Sequence, residues 1–466
     1  MFKFGTGGWR DIIADGFTKN NITLLAQSIS EKMNKENAKE IVIGFDRRFM
    51  SDIGAIWLAE VFSANGITVY YIPSNAPTPL IMFAVKSYGC KYGVAVTASH
   101  NPAVYNGVKV FTEGGGDASE VITSELEEIS KSITDIKSLN FDNAVKNNII
   151  QIIHPFNEYI ESIMNMLDID AIKEKGLKIL LDPMFGVSKT SLQTILQTAR
   201  CDVDVINDRH DTLFGGRLPS PSVATLSKLS AMVVEDGYDI GIATDGDADR
   251  IGIINGDGRF IHPNEILVLL YYYLLKHKGW KGDVVRNIAT THLLDKIAVD
   301  FGFKCHEVPV GFKHISSKME ETDAIIGGES SGGLTIKGHI KGKDGIFASS
   351  LLVEMICKTG KGLSEMLDEI HVKYGESFMS EHNFEFSSNK KIEIQQLIFE
   401  KKLLPDFSEK IRKVSYDDGL KVFFENGGWI MARFSGTEPL IRIYCEMENK
   451  ELAEKISNQL TVFLAL

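Results

Sequence analysis

The sequence has no C-x-x-C pair. Its five cysteines, Cys90, Cys201, Cys305, Cys357 and Cys445, are odd in number and far apart. That excludes a disulfide framework and a cysteine zinc site, and it reads as reduced, mostly buried thiols in a cytoplasmic protein. Basic residues are in deficit, with 50 Lys and Arg against 62 Asp and Glu for a net charge of −12. Nucleic acid and anionic membranes both require clustered cations, so neither is an expected partner. A small anion remains possible, because it needs only a local basic pocket. Residues 1–10 lack the charged, apolar, small order of a leader, and none is expected. The longest apolar run, residues 266–275, includes Tyr271, Tyr272 and Tyr273. It is too short to span a bilayer, which takes about 20 residues, and reads as a buried helix. There is no low-complexity tract or flexible linker, and no repeat is visible in the letters.

What is present suits a globular chain. With 44% hydrophobic and 24% charged residues over 466 positions, about three or four domains are expected at roughly 100–200 residues each. Strand and helix signals alternate: strand 41–45 into the polar loop Asp46-Arg47-Arg48, helix 53–65, strand 67–72, and strand 92–96 into Thr97-Ala98-Ser99-His100. Asn106-Gly107 reads as a hairpin return. The pattern restarts with strands 177–181, 203–206 and 240–243, and again with 283–285 and 324–326. Alternation of this kind predicts α/β units. The last ~90 residues change to charged helix at 390–402 and a strand at 428–434, which predicts a separate α+β domain. In open α/β sheets ligands sit beyond the carboxyl ends of strands, so the polar loops there can line one interdomain cleft.

Four loops carry candidate chemistry. Asp245-Gly246-Asp247-Ala248-Asp249-Arg250 sets three carboxylates at alternate positions, a hard-oxygen set suited to Mg²⁺. It is not an EF-hand, because loop positions six and twelve are Arg250 and Gly256. A solvated acidic turn is the plain alternative. Ser99, beside His100, is either an activated nucleophile or a turn cap. Lys109, on the following strand, adds a cation or a base. Gly328-Glu329-Ser330-Ser331-Gly332 matches the G-x-S-x-G elbow of serine hydrolases, with Ser330 as nucleophile and His339, His371 and His382 downstream. Against that, a serine hydrolase has no use for a three-Asp loop; Glu329 and Ser331 are better suited to sugar hydroxyls. Arg433-Phe434-Ser435-Gly436-Thr437-Glu438-Pro439 supplies a guanidinium, hydroxyls and a glycine turn, the parts of a phosphate cradle, with Arg442 close by. Gly5-Thr6-Gly7-Gly8-Trp9-Arg10 is glycine-rich, but lacks the Lys-Ser/Thr of a nucleotide P-loop.

Taken in order along the whole chain, these motifs resemble the α-D-phosphohexomutase superfamily. Residues 5–10 are similar to its opening segment, 97–102 to its phosphoserine loop, 245–250 to its metal loop, 328–331 to its sugar loop and 433–439 to its phosphate loop. Phe214-Gly215-Gly216-Arg217-Leu218-Pro219 and Gly311-Phe312-Lys313 resemble further family segments. The resemblance implies three similar mixed-sheet α/β domains plus a C-terminal α+β domain around a central cleft: 1–150 with the phosphoserine, 151–256 with the metal, 257–372 with the sugar loop and 373–466 with the phosphate cradle. A hinge is expected near 370–378, where composition changes.

The implied chemistry is a phosphoryl shuttle. Ser99 is carried as phosphoserine, and Mg²⁺ is held by Asp245, Asp247, Asp249 and a phosphoserine oxygen. Arg10 and Lys109 lie near the transferring group, Lys109 being the candidate base, and His100 orients the loop. Arg250, Lys313, Glu329, Ser331, Arg433, Ser435, Gly436 and Thr437 contact a small-molecule sugar phosphate. The phosphoryl group passes to that sugar, giving a bisphosphate that turns over in the cleft, and glucose 1,6-bisphosphate is the implied activator. A monomer or homodimer is expected. Ser330 stands where the family carries Glu, Met or Gln according to the sugar, while 308–314 and 338–345 are similar to glucose-type members. Glucose 1-phosphate to glucose 6-phosphate is therefore the expected reaction. Mannose, glucosamine and pentose phosphates are alternatives with the same mechanism, and a sugar-phosphate binder without catalysis is the reading from another class.

Overall fold

Runs of β-branched and small apolar residues form four sheets, each closed off by amphipathic or wholly apolar helices. The computed structural model describes residues 2–5, 7–435 and 440–466. The strand Tyr92–Val96 is buried at every position, as expected for a strand covered on both faces. Gly93 within it has no room for a side chain, since a Cβ would lie 2.2 Å from Val85 Cγ2. Three α/β domains and a C-terminal domain result, in agreement with the sequence reading.

The first three sheets share one plan, as expected of three similar mixed-sheet domains, although no repeat is visible in the letters. In the first, two parallel strands, Glu40–Phe45 and Thr68–Tyr71, are followed by Tyr92–Val96, parallel to the first of them, and then by the antiparallel return Tyr105–Thr112. The second sheet runs Lys178–Asp182, Asp202–Val205, Ile240–Thr244 and the return Ile251–Asn255 in the same order and sense. The third repeats it with Val284–Asn287, Cys305–Val308, Ile326–Gly328 and Leu334–Ile336. Each time, the third strand of the set leads into a loop singled out above. The fourth sheet is wholly antiparallel, in the order Phe378–Glu385, Leu440–Met447, Trp429–Phe434, Leu420–Phe424, Ile411–Ser415.

Asn106-Gly107 and the apolar residues after it do form the antiparallel return. The pair is not the turn itself; it lies within the returning strand, opposite Arg10 and Asp11. Glycine is needed there because the strand Gly8–Ile12 passes so close that a Cβ would lie 2.1 Å from Trp9 O. The apolar run 266–275 is indeed a buried helix, Pro263–Lys276, started by a reciprocal cap between His262 and Glu265. No described helix is long and apolar enough to cross a membrane.

The second and third domains, with part of the first, share one continuous apolar core. The fourth has its own core around Ile430, Ile443 and Leu460. It follows the helix Leu363–Tyr374, which ends at Gly375 with a φ of 89°, inside the span 370–378 where a hinge is expected from composition. It docks on the third domain through a small apolar patch of Ile288, Ala289, Trp429, Met431 and Tyr444 and through two buried charges. Glu446 accepts hydrogen bonds from Thr291 Oγ1, His292 N, Ser377 Oγ and Trp429 Nε1. Lys421, wholly buried, donates to Ile288 O at 2.6 Å and Glu307 Oε2 at 2.9 Å, and its ammonium lies 4.3 Å from the Trp429 ring centre.

Candidate active site

The loop after Tyr92–Val96 is held from below by the loop after its parallel neighbour. Asp46 accepts from Thr97 Oγ1 at 2.6 Å, Ser51 Oγ at 2.8 Å and Arg48 N at 2.9 Å. The Arg48 guanidinium donates to the carbonyls of Ser99 and Asn101, both at 2.6 Å, and of Pro102 at 3.0 Å, and lies 4.8 Å from the centre of the Phe214 ring. These bonds hold Ser99 at a φ of 52°, a left-handed conformation costing on the order of 1–3 kcal/mol that persists only where its surroundings impose it. In the sequence Arg48 is only part of a polar loop; the signal for its role is its place at a strand's carboxyl end.

Ser99 Oγ donates to Asp245 Oδ2 at 2.7 Å, and His100 Nδ1 lies 3.4 Å from the same hydroxyl. The metal-loop backbone packs directly on the serine loop: a Cβ on Gly246 would lie 2.8 Å from Ser99 O, and one on Gly186 would lie 2.5 Å from Gly246 O. Asp245 Oδ1 accepts the backbone N–H groups of Asp249 and Arg250 at 3.0 and 3.1 Å. Asp247 Oδ2 accepts from Thr78 Oγ1 and Lys109 Nζ, each at 2.6 Å. Asp249 Oδ2 accepts from Lys109 Nζ at 2.6 Å and pairs with Lys343 Nζ at 3.0 Å. All three aspartates are fully buried.

Charge separates these aspartates. Burial, reinforced by Asp247 and Asp249, pushes the Asp245 carboxyl well above the ordinary range. Burial acts the same way on Asp249, but Lys109, Lys343 and Arg250 outweigh it and hold that carboxyl well below. Asp247 is lowered too, Lys109 and Thr78 prevailing over burial and Asp249. Lys109 resists burial between its two carboxylates and is held charged. Burial, with Arg250 and Arg10, keeps His100 neutral. The remaining oxygens, Asp247 Oδ1 and Asp249 Oδ1, are buried and accept no hydrogen bond among the described residues, Arg250 Nε lying 3.9 Å from the latter. Ligand oxygens of the three aspartates lie within 4.8 Å of one another. Two orphaned buried carboxylate oxygens are unfavourable unless a cation completes them, so the donor set fits a hard divalent ion.

Above these loops lies a cleft of about 310 Å³ lined by all four domains. Arg10, His100 and Arg250 line it, as do Glu329, Ser330 and Ser331 of the sugar loop and Arg433, Ser435 and Arg442 of the fourth domain. Arg10 Nη1 donates to Asn101 Oδ1 at 2.6 Å. Ser331 Oγ donates to Glu329 Oε1 at 2.7 Å, and Arg433 Nε to Asp418 Oδ1 at 2.8 Å. Gly436 and Thr437 lie outside the described residues. Lys313 is not in the lining; its ammonium pairs with Glu120 Oε1 at 2.6 Å. Lys343 lines the cleft instead. In the sequence that residue bears only on the type of sugar.

The serine-hydrolase alternative fails on geometry. Its elbow requires a strand–turn–helix and a strained serine. Ser330 instead sits in a hairpin between Ile326–Gly328 and the antiparallel Leu334–Ile336, and its φ is not positive, whereas that of Ser99 is.

The chain matches four phosphoglucomutase/phosphomannomutase family models: alpha/beta/alpha domain I over residues 1–137, domain II over 157–258, domain III over 262–374 and the C-terminal domain over 393–461. A phosphoglucomutase/phosphomannomutase of Thermococcus kodakarensis is 31% identical over 97% of this chain and 96% of its own length. A phosphoglucosamine/phosphogalactosamine mutase of Sulfurisphaera tokodaii is 28% identical over 98% of each. A crystal structure from Thermus thermophilus, assigned as a phosphomannomutase, superposes with a TM-score of 0.87 at 28% identity, covering 100% of this chain and 99% of that one.

Proposed function

The chain belongs to the phosphoglucomutase/phosphomannomutase family of the α-D-phosphohexomutase superfamily, and from that premise we propose that it moves a phosphoryl group between C1 and C6 of a hexose or hexosamine phosphate by way of phosphoserine at Ser99. The observation that carries this reading is the strained Ser99 hydroxyl, 2.7 Å from Asp245 in a buried three-aspartate loop. Asp245, Asp247 and Asp249, with a phosphoserine oxygen, would hold Mg²⁺. The chemistry such an ion supplies is neutralisation of charge on the transferring group.

The chain's own residues do the positioning. Arg48 fixes the carbonyls of the serine loop, and Gly246 lets the two loops touch. Transfer to the sugar breaks the Oγ–P bond and forms a sugar O–P bond; the serine oxygen regains a proton and the sugar hydroxyl loses one. Lys109, charged between Asp247 and Asp249, is the ammonium we assign to proton exchange with Ser99 Oγ. Arg10, Arg250 and Lys343 face the reacting phosphate, Glu329 and Ser331 the sugar hydroxyls, and Arg433, Ser435 and Arg442 the distal phosphate. Binding at that distal end helps orient the reacting one. A hexose 1,6-bisphosphate primes Ser99.

For the sugar we rank glucosamine first, since a relative named as a phosphoglucosamine/phosphogalactosamine mutase matches end to end; Ser330 differs from the Glu, Met or Gln of the family and favours none of the three sugars. Glucose, to which 308–314 and 338–345 point, and mannose form the second reading, favoured by the name of the Thermococcus relative. The test is incubation with Mg²⁺, a trace of glucose 1,6-bisphosphate and equimolar glucose, mannose and glucosamine 1-phosphates, followed by phosphorus NMR. The expected result is a 6-phosphate, that of glucosamine appearing first. No 6-phosphate from any of the three would overturn the proposal.

A further inference from the structure

Asp117 ends the short strand Gly116–Asp117, which pairs with the return strand of the first sheet and sets Asp117 opposite Phe111. Its side chain lines the cleft, as does that of Glu329; they are the two carboxylates among the described lining residues. The remaining charges there, Arg10, Arg250, Lys343, Arg433 and Arg442, suit phosphates. A carboxylate beside a bisphosphate is repelled by it, so Asp117 and Glu329 need another reason to be there.

They also differ in what holds them. Glu329 is satisfied by Ser331 Oγ at 2.7 Å and Asn287 Nδ2 at 3.4 Å. Among the described residues, the Asp117 carboxylate accepts no hydrogen bond and forms no ion pair. The lysines whose charge reaches it, Lys343 and Lys109, are bonded to Asp247 and Asp249. Burial, aided by Asp249 and Glu329, pushes the Asp117 carboxyl above its ordinary range despite those lysines. A half-buried carboxylate with no hydrogen-bond or ion-pair partner among the described residues is open to a ligand donor, and a charged donor completes it better than a hydroxyl does.

We propose that Asp117 is a specificity-determining residue that reads an ammonium substituent on the sugar, so that the cleft favours hexosamine phosphates over neutral hexose phosphates. This rests on the mutase reading above and assigns its sugar preference to one side chain. The test compares kcat/KM for glucosamine 1-phosphate and glucose 1-phosphate in the wild type and in Asp117→Asn, which keeps shape and hydrogen bonding but removes the charge. The glucosamine-to-glucose ratio is expected to exceed one in the wild type and to fall about 10- to 100-fold in the variant. A ratio that stays constant while both activities fall, or a wild type that prefers glucose, overturns the inference and leaves the mutase reading intact. A wild type that turns over neither sugar overturns both. Asp117→Ser, read the same way, serves if the amide variant does not fold.

Discussion

The seam between the first and second domains and the seam between the third and fourth are both built on buried charge, and they are finished differently. At the first, Ser99 meets Asp245, Thr78 meets Asp247, and Lys109 bridges Asp247 and Asp249, yet two carboxylate oxygens are left over. At the second the two buried charges are satisfied: Glu446 accepts four hydrogen bonds, and Lys421 is enclosed by a carbonyl, a carboxylate and an indole; what stays unpaired among the described residues there is a neutral amide, that of Asn264, in the cavity it lines with Glu446. Buried charged groups are nearly always paired, so unpaired carboxylate oxygens suit a ligand and satisfied charges suit a joint. On the proposed function, the difference separates residues that do chemistry from residues that hold a domain in position.

Four experiments press on that distinction. The largest effect is expected at the first seam: Ser99→Ala should lower turnover by about a thousandfold or more and abolish phosphate incorporation into the protein, while melting stays near that of the wild type. A variant that still turns over would remove the seam's chemical role. Next, chelation of divalent ions, or Asp247→Asn, should cost about 100- to 1,000-fold in turnover, with added Mg²⁺ restoring the chelated wild type but not the variant. At the second seam the currency changes to stability. Glu446→Ala strands four donors, and denaturant titration should show a loss of about 3–5 kcal/mol, with Ser99 phosphorylation still detectable in the folded fraction.

The smallest effect is a pH slope. Burial, then Arg286, lowers Lys421 from its ordinary 10.5 to about 8, against Glu307 and Glu446, which raise it. Between those values the unfolded chain holds a proton that the folded one lacks. The penalty for burying the charge is therefore full below pH 8 and is relieved as pH rises toward 10.5. Wild-type stability should gain up to about 1.4 kcal/mol per pH unit across that window relative to Lys421→Met. Parallel curves in urea for the two proteins would show that the lysine is not the titrating group.

Much of the site could be read from the sequence because its loops follow strands whose apolar runs stop abruptly, and polar chemistry at a strand's carboxyl end is informative by itself. The four-part architecture was legible for the same reason. What escaped depended on register and direction. Asn106-Gly107 carries a turn signature, but Gly107 answers the close approach of Trp9 rather than a turn. Lys313 is the second residue of the helix Phe312–Thr322, which follows Gly311 at a φ of 132°, and nothing local foretold that it would turn to Glu120. Asp117 reaches the cleft through a two-residue strand, too short for any periodicity. The repeat was legible as a strand–helix pattern that restarts, and not in the letters, because it lies in strand order and sense.

That shared order has a consequence for how the molecule is divided. Since the first three domains present their loops from the equivalent strand end and the fourth closes the cleft, none contains the whole site. The serine comes from one, its acidic partner from the next, and the rest of the cleft lining from the other two. On the proposed function, competence is thus a property of assembly, as with a lock whose levers are cut on separate keys. Because the first three domains share an apolar core, only the fourth, with its own core, should fold when cut free, and it should be inert until it reassociates with the rest.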